Sequence, residues 1–232
     1  MTVLVCVNTC YPFFPLKGKP ISFEQGIVMV ADTRLTFGSS QTVMQDDYVK
    51  IDWLAKNIGS GFCGYVDIGE TALIEAGRVL GASEYLDPLQ TAQLVSTKLV
   101  EVAKHWPPAY GQCTQVIVGG YDKDSHNFVL MSLHGNNHFN PTITKGLIAI
   151  GSGAKHWRSG TRLAQRIGNS YGGLSKKLSQ SSSISLDDTA RLICITIEKE
   201  IETARQLGGL NSVGGTAIGL VIGEQESYKA SF

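Results

Sequence analysis

The 232-residue chain contains no apolar run approaching the roughly 18–20 residues that a membrane-spanning helix requires. No membrane partner is expected. It also lacks any charge of one sign in excess: 20 Lys and Arg balance 20 Asp and Glu, for a formal net charge of zero. Acids and bases are interspersed, so no basic stripe invites nucleic acid and no acidic tail solvates the chain. Cysteine is sparse and odd in number, with five residues (Cys6, Cys10, Cys63, Cys113, Cys194). Most sit in apolar surroundings. That pattern fits reduced thiols in a cytoplasmic protein and not a disulfide framework. The start lacks the basic region, apolar core and small-residue cleavage site of a signal peptide, in keeping with a cytoplasmic location. His134 and His138 lack a third ligand, so no metal is expected. Gly59-Ser-Gly-Phe-Cys-Gly64 lacks the lysine of a phosphate-binding loop, and no cofactor is expected either.

What the chain does have is order in its apolar runs. Val3–Val7 and Gly26–Ala31 are short and nearly continuous, the signature of strands buried on both faces. They can pair as a hairpin across Tyr11–Gln25, which reads as a loop because it carries Pro12, Pro15, Pro20 and Gly18. Val49–Trp53 and Asn57–Cys63 are two more strands. Helical spacing follows over Ile68–Leu80 and again over Pro88–Trp106, with Asp87 as N-cap, Pro88 at the first helical position and Pro107-Pro108 as terminator. Gln115–Tyr121 and Asn127–His134 form a hairpin around Asp122-Lys-Asp-Ser. Gly146–Ile150 is another strand, closing at Gly151-Ser-Gly153. A third helix is expected over Ala154–Ile167. After a serine-rich loop at Ser179–Ser183, Ser185 caps a long amphipathic helix reaching Leu207. Gly214–Ile222 returns to a strand. There are no internal repeats and no linker, so one domain over residues 1–232 is expected. Segregated runs of strands and helices argue α+β layers and not an alternating βαβ fold. Helices packed outside two face-to-face sheets would bury every apolar face.

Chemistry enters at the start of the chain. Met1 precedes Thr2, a small residue that permits removal of the initiator. An exposed Thr2 then carries a nucleophilic hydroxyl and a free amine on one residue, a recognised activated nucleophile. Together, Thr2-Val-Leu-Val, Gly26-Ile-Val-Met-Val-Ala-Asp32-Thr-Arg34, Val49-Lys50-Ile51, Gly61-Phe-Cys-Gly64-Tyr-Val-Asp67 and Ile150-Gly-Ser152-Gly153 resemble proteasome β-type subunits. The resemblance is nearest in flavour to the HslV-type bacterial proteasome homologues. These are N-terminal nucleophile hydrolases and threonine peptidases. The resemblance implies a four-layer αββα sandwich. It runs in order from Thr2 to Gly153 and, more loosely, over Gly214–Ile222.

The same resemblance implies roles, residue by residue. Thr2 Oγ attacks the peptide carbonyl, with the α-amine relaying its proton through water. Lys50 stabilises the alkoxide and depresses the amine's pKa, and Asp32 holds the ammonium in place. The Gly64 N–H stabilises the oxyanion. Ser152 supports the amine. Phe62 floors the substrate side-chain pocket. Partners implied are further copies of the chain in a ring or stacked rings, an ATPase unfoldase and a polypeptide substrate. Read singly, each residue has a plainer reading: Asp32 and Arg34 as a surface ion pair, Lys50 as a solvated lysine at a strand edge.

One stretch departs from the family pattern. Leu210-Asn-Ser-Val-Gly214-Gly215 lacks the late aspartate, and Ser212 sits one place early. The bacterial peptidase also dispenses with that aspartate. A catalytically silent ring subunit, motivated by the missing aspartate, and an amidase with the same catalytic residues acting on a small amide stand as alternatives to the peptidase. The Tyr11–Gln25 connection is longer than the family's turn, and its Tyr11, Phe13 and Phe14 could line an interface, line a channel or simply pack.

Overall fold

The computed structural model describes residues 3–11, 22–37, 42–81, 86–151, 183–206 and 214–231. Two antiparallel five-stranded sheets form its centre. The first contains β1 (Leu4–Asn8), β3 (Ile27–Asp32), β11 (Leu147–Ile150), β13 (Ala217–Ile222) and β14 (Ser227–Ser231), in the order β11-β1-β3-β13-β14. The second contains β6 (Ile51–Ala55), β7 (Ile58–Cys63), β8 (Gln115–Asp122), β9 (Asn127–His134) and β10 (Thr142–Ile143), in the order β10-β9-β8-β7-β6.

Alternation along β1 explains its continuous apolar run. Val5 and Val7 point to one side, into a cluster with Ile193, Cys194 and Ile197. Leu4 and Cys6 point to the other, into a cluster with Ile51, Ile117 and Leu130 of the opposing sheet. A strand with both faces covered needs no polar face. The hairpin of β1 with β3 is present, in a register that sets Leu4 opposite Ala31 and Val7 opposite Val28.

Helices cover the two outer faces. Those described are α1 (Val66–Leu80), α2 (Pro88–Ala103), α3 (Pro108–Cys113) and α4 (Leu186–Gln206). Ile68, Ala72, Ala76, Ala92, Val95 and Leu99 of α1 and α2 pack onto Val116, Val118 and Met131 of the second sheet. The apolar stripe of α4 packs onto the first sheet. The layers therefore run α4, sheet, sheet, α1 with α2: a four-layer αββα sandwich.

Local signals acted as their chemistry requires. Asp87 caps α2 by accepting from the Leu89 amide at 2.7 Å, with Pro88 behind it. Ser185 caps α4, its Oγ accepting from the Asp188 amide at 3.1 Å. Glu24 Oε2 takes the Leu186 amide at 3.0 Å, a cap supplied from a distant segment.

Several elements differ from the expectation. α2 ends at Ala103, short of Trp106, and Pro108 then opens α3, because proline suits a first helical turn as well as it ends a helix. The short pair β4 (Leu35–Phe37) and β5 (Thr42–Gln45) was not expected; Val43 and Met44 are exposed, so no buried run marks it. The edge strand β14 is likewise too polar to announce itself. Ser22 and Phe23 (β2), inside the expected loop, pair in parallel with Ser183 and Ile184 (β12), at the end of the expected serine-rich loop. The expected helix over Ala154–Ile167 lies outside the described residues. No described helix is long and apolar enough to cross a membrane.

Candidate active site

Asp32 is the last residue of β3 and is fully buried. Its backbone amide donates to the Val3 carbonyl at 3.1 Å, and its Oδ1 accepts the Val3 amide at 2.8 Å. Main chain and side chain together therefore fasten the residue that follows Thr2. Oδ2 accepts the Gly214 amide at 3.2 Å. The remaining donor is the Lys50 ammonium, 3.0 Å from Oδ1.

Lys50 arrives from the strand pair β4–β5. After β3 the chain turns out through that pair and returns, with the Tyr48 amide donating to the Thr33 carbonyl at 2.9 Å. Thr33 Oγ1 also donates to the Asp46 carbonyl and accepts the Thr216 amide at 2.9 Å. These bonds deliver Lys50, only 3 % exposed, against Asp32 at the head of β6. Its ammonium also donates to the Arg34 carbonyl. Burial pulls the Lys50 pKa down, and the Asp32 charge opposes that shift. Burial pushes the Asp32 pKa up, and the charge of Lys50 and the hydrogen bonds to Lys50, Val3 and Gly214 oppose it. A buried ammonium without such a carboxylate would tend to lose its proton.

The plainer readings of these residues do not hold. Asp32 pairs with Lys50, and Arg34 pairs with Asp46 through Nε at 2.6 Å and a second bond at 3.0 Å. Lys50 is enclosed and not solvated, its ammonium bonded to Asp32 and to the Arg34 carbonyl.

Gly64 follows β7 with φ of +98°, in the left-handed region. A Cβ there would collide with the Cys113 carbonyl oxygen, so no other residue fits without a shift. Phe62 and Cys63 leave β7 on opposite faces. Phe62 packs on the helix side against Gly69 and edge-on to Tyr48, with centroids 6.4 Å apart. Cys63 faces the other sheet, where burial pushes its thiol up to about 12 despite the nearby Lys50 charge. Its Sγ donates to Gln115 Oε1 at 3.4 Å, and the same oxygen accepts the Gly151 amide at 3.1 Å. Thr2, Ser152 and Ser212 lie outside the described residues. Asp32 and Lys50 are brought into contact, and Cys63, the residue before Gly64, is joined to Gly151 through Gln115. Sequence reasoning missed Gln115; its one signal was a polar residue opening an otherwise apolar strand.

Among the described residues no group of three or more His, Cys, Asp or Glu side chains is placed to hold a metal. The thiols of Cys6, Cys10, Cys63, Cys113 and Cys194 are all free.

The antiparallel αββα sandwich is the architecture of N-terminal nucleophile hydrolases of proteasome type. Comparison with protein-family models matches residues 20–160, more than half of the chain, to the proteasome subunit family. The chain belongs to that family and is a proteasome-like protease subunit in its general class. The match spans Asp32, Lys50, Phe62, Gly64 and Ser152 and begins after Thr2. No curated protein matches the chain.

Proposed function

We propose that the chain is a threonine-type endopeptidase subunit, one peptidase domain over residues 1–232, that cuts unfolded polypeptides inside a ring of its own copies. The observation that carries this reading is the buried Lys50–Asp32 pair hydrogen-bonded to Val3, the residue after the proposed nucleophile. With Met1 removed, Thr2 Oγ attacks the scissile carbonyl. Its proton passes through water to the α-amine, whose ordinary pKa of roughly 7.7–8.0 suits a base near neutrality. The Lys50 ammonium stabilises the developing alkoxide and keeps the amine from holding a proton too tightly. The Gly64 N–H supports the oxyanion, and Ser152 hydrogen-bonds the amine. Collapse of the tetrahedral species transfers the acyl group to Oγ as an ester and releases the new peptide amine, which takes the proton back. Water then hydrolyses the ester by the same relay.

Phe62, between Tyr48 and Gly69 under the start of α1, would floor the pocket for the substrate side chain. No cofactor is required. The subunit would work in the cytoplasm, fed by a separate ATPase unfoldase.

A β-lactone or epoxyketone probe tests the reading. Intact mass should show Met1 absent and one probe added to the wild type, with none added to Thr2→Ala. Full retention of Met1, or a wild type that takes no probe, overturns it. The second of those results would instead favour a silent ring subunit, the alternative motivated by the missing aspartate in Leu210-Asn-Ser-Val-Gly214.

A further inference from the structure

We propose that Gln115 is a positioning residue: its side-chain oxygen fastens Cys63, the residue before Gly64, to the Gly151 amide across the two sheets. This rests on the peptidase reading above, because the Gly64 N–H and the residue after Gly151 are parts of that proposed site.

Gln115 opens β8, opposite Cys63 on one side and His134 on the other. Phe62, Val116 and Leu133 belong to the helix-side core. Alternation therefore turns Cys63, Gln115 and His134 toward the opposing sheet. From there Oε1 accepts the Cys63 thiol at 3.4 Å within its own sheet. It also accepts the Gly151 amide at 3.1 Å at the end of β11, in the other sheet. β11 is the neighbour of β1, with Ile150 opposite Leu4. One amide oxygen thus joins the strand end that precedes Gly64 to the edge of the sheet that carries Val3.

The support behind Gln115 is rigid. The Thr114 amide donates to the Gly111 carbonyl at 3.0 Å, its Oγ1 donates to the Tyr110 carbonyl at 3.0 Å, and its carbonyl takes the Gly135 amide at 3.0 Å. The Cys113 carbonyl packs directly on Gly64, in the space a Cβ would fill. The three residues Cys113–Gln115 therefore touch both turns, one through the backbone and one through a side chain. Without the Gln115 oxygen, the Cys63 thiol and the Gly151 amide lose the acceptor that they share. Displacements of about 1 Å can cost on the order of a hundredfold in rate, and sites need second-layer partners to stay within such limits.

The test compares Gln115→Leu, which keeps bulk but accepts nothing, with Gln115→Glu, which keeps an oxygen in place. Two readouts are used: hydrolysis of a fluorogenic peptide and exchange of the Gly151 amide. Gln115→Leu should lose about tenfold to a hundredfold in kcat with KM within about twofold. Its Gly151 amide should exchange about twofold to tenfold faster, the factor that loss of one such bond carries. Gln115→Glu should keep the Gly151 protection and most of kcat. Unchanged Gly151 exchange in Gln115→Leu overturns the clamp. Faster exchange with wild-type kcat overturns the positioning role, as does an equal loss of kcat in both variants. If the wild type shows no Thr2-dependent turnover, the peptidase reading has failed, and Gly151 exchange still decides whether the clamp exists.

Discussion

Asp32 and Lys50 are ion-paired at 3.0 Å with both side chains out of solvent, and the oxygen that takes the ammonium also takes the Val3 amide. Two charges withdrawn from water are tolerated only while each has the other. Asp32→Asn should therefore cost about 3–5 kcal/mol of stability by leaving the ammonium uncompensated. Adding Lys50→Met to that variant should restore much of the loss, because the buried charge is gone, while leaving the protein inactive. Urea denaturation of the single and double variants checks this. An Asp32→Asn protein as stable as the wild type would contradict the pairing.

Gly64 and Gly77 predict opposite outcomes for the same change. At Gly64, φ is +98° and an added Cβ meets the Cys113 carbonyl. Gly64→Ala should lose about 1–3 kcal/mol of stability to backbone strain. On the proposed chemistry it should also lose about 10²–10³-fold in kcat through the displaced N–H. Gly77, inside α1, has nothing within 4 Å of such a Cβ. Gly77→Ala should be stabilising by about 0.4–1 kcal/mol, with activity unchanged. Thermal melting and peptide hydrolysis on the two variants separate strain from helix propensity.

His134 sets a pH dependence of stability. Burial lowers its pKa from the ordinary 6.5. A folded histidine that resists protonation binds fewer protons than the unfolded chain, so the slope of stability with pH is positive in that window. Its contribution is complete above about 6.5. It is lost as pH falls from there through the lowered folded value. Melting temperatures between pH 7.5 and 5 should decline less steeply in His134→Gln than in the wild type. Parallel declines would assign the acid sensitivity to other groups.

The strands were legible where burial is two-sided. β1 and β3 carry unbroken apolar runs because one face meets α4 and the other meets the second sheet. The β4–β5 pair was not legible, since its side chains are largely exposed and no periodicity is imposed on them. Pro107-Pro108 showed that α2 must end, yet could not show that the second proline starts α3. At the site, Asp32 and Lys50 were readable from the segments around them. The assignment of Arg34 to Asp46 was not, because the two acids lie within reach of the same loop and only packing chooses between them.

Sequence alone determined the unbroken apolar runs that demand strands covered on both faces, and the caps at Asp87 and Ser185. Tertiary structure decided which residues meet. Asp32 receives Lys50 because the β4–β5 pair turns the chain back on Thr33, and it receives Val3 because β1 lies antiparallel to β3. Gln115 reaches Gly151 only because two sheets from distant parts of the chain are stacked face to face. Local preferences act over a few residues, whereas these bonds join groups 18 to 36 positions apart and exist only after the layers have closed.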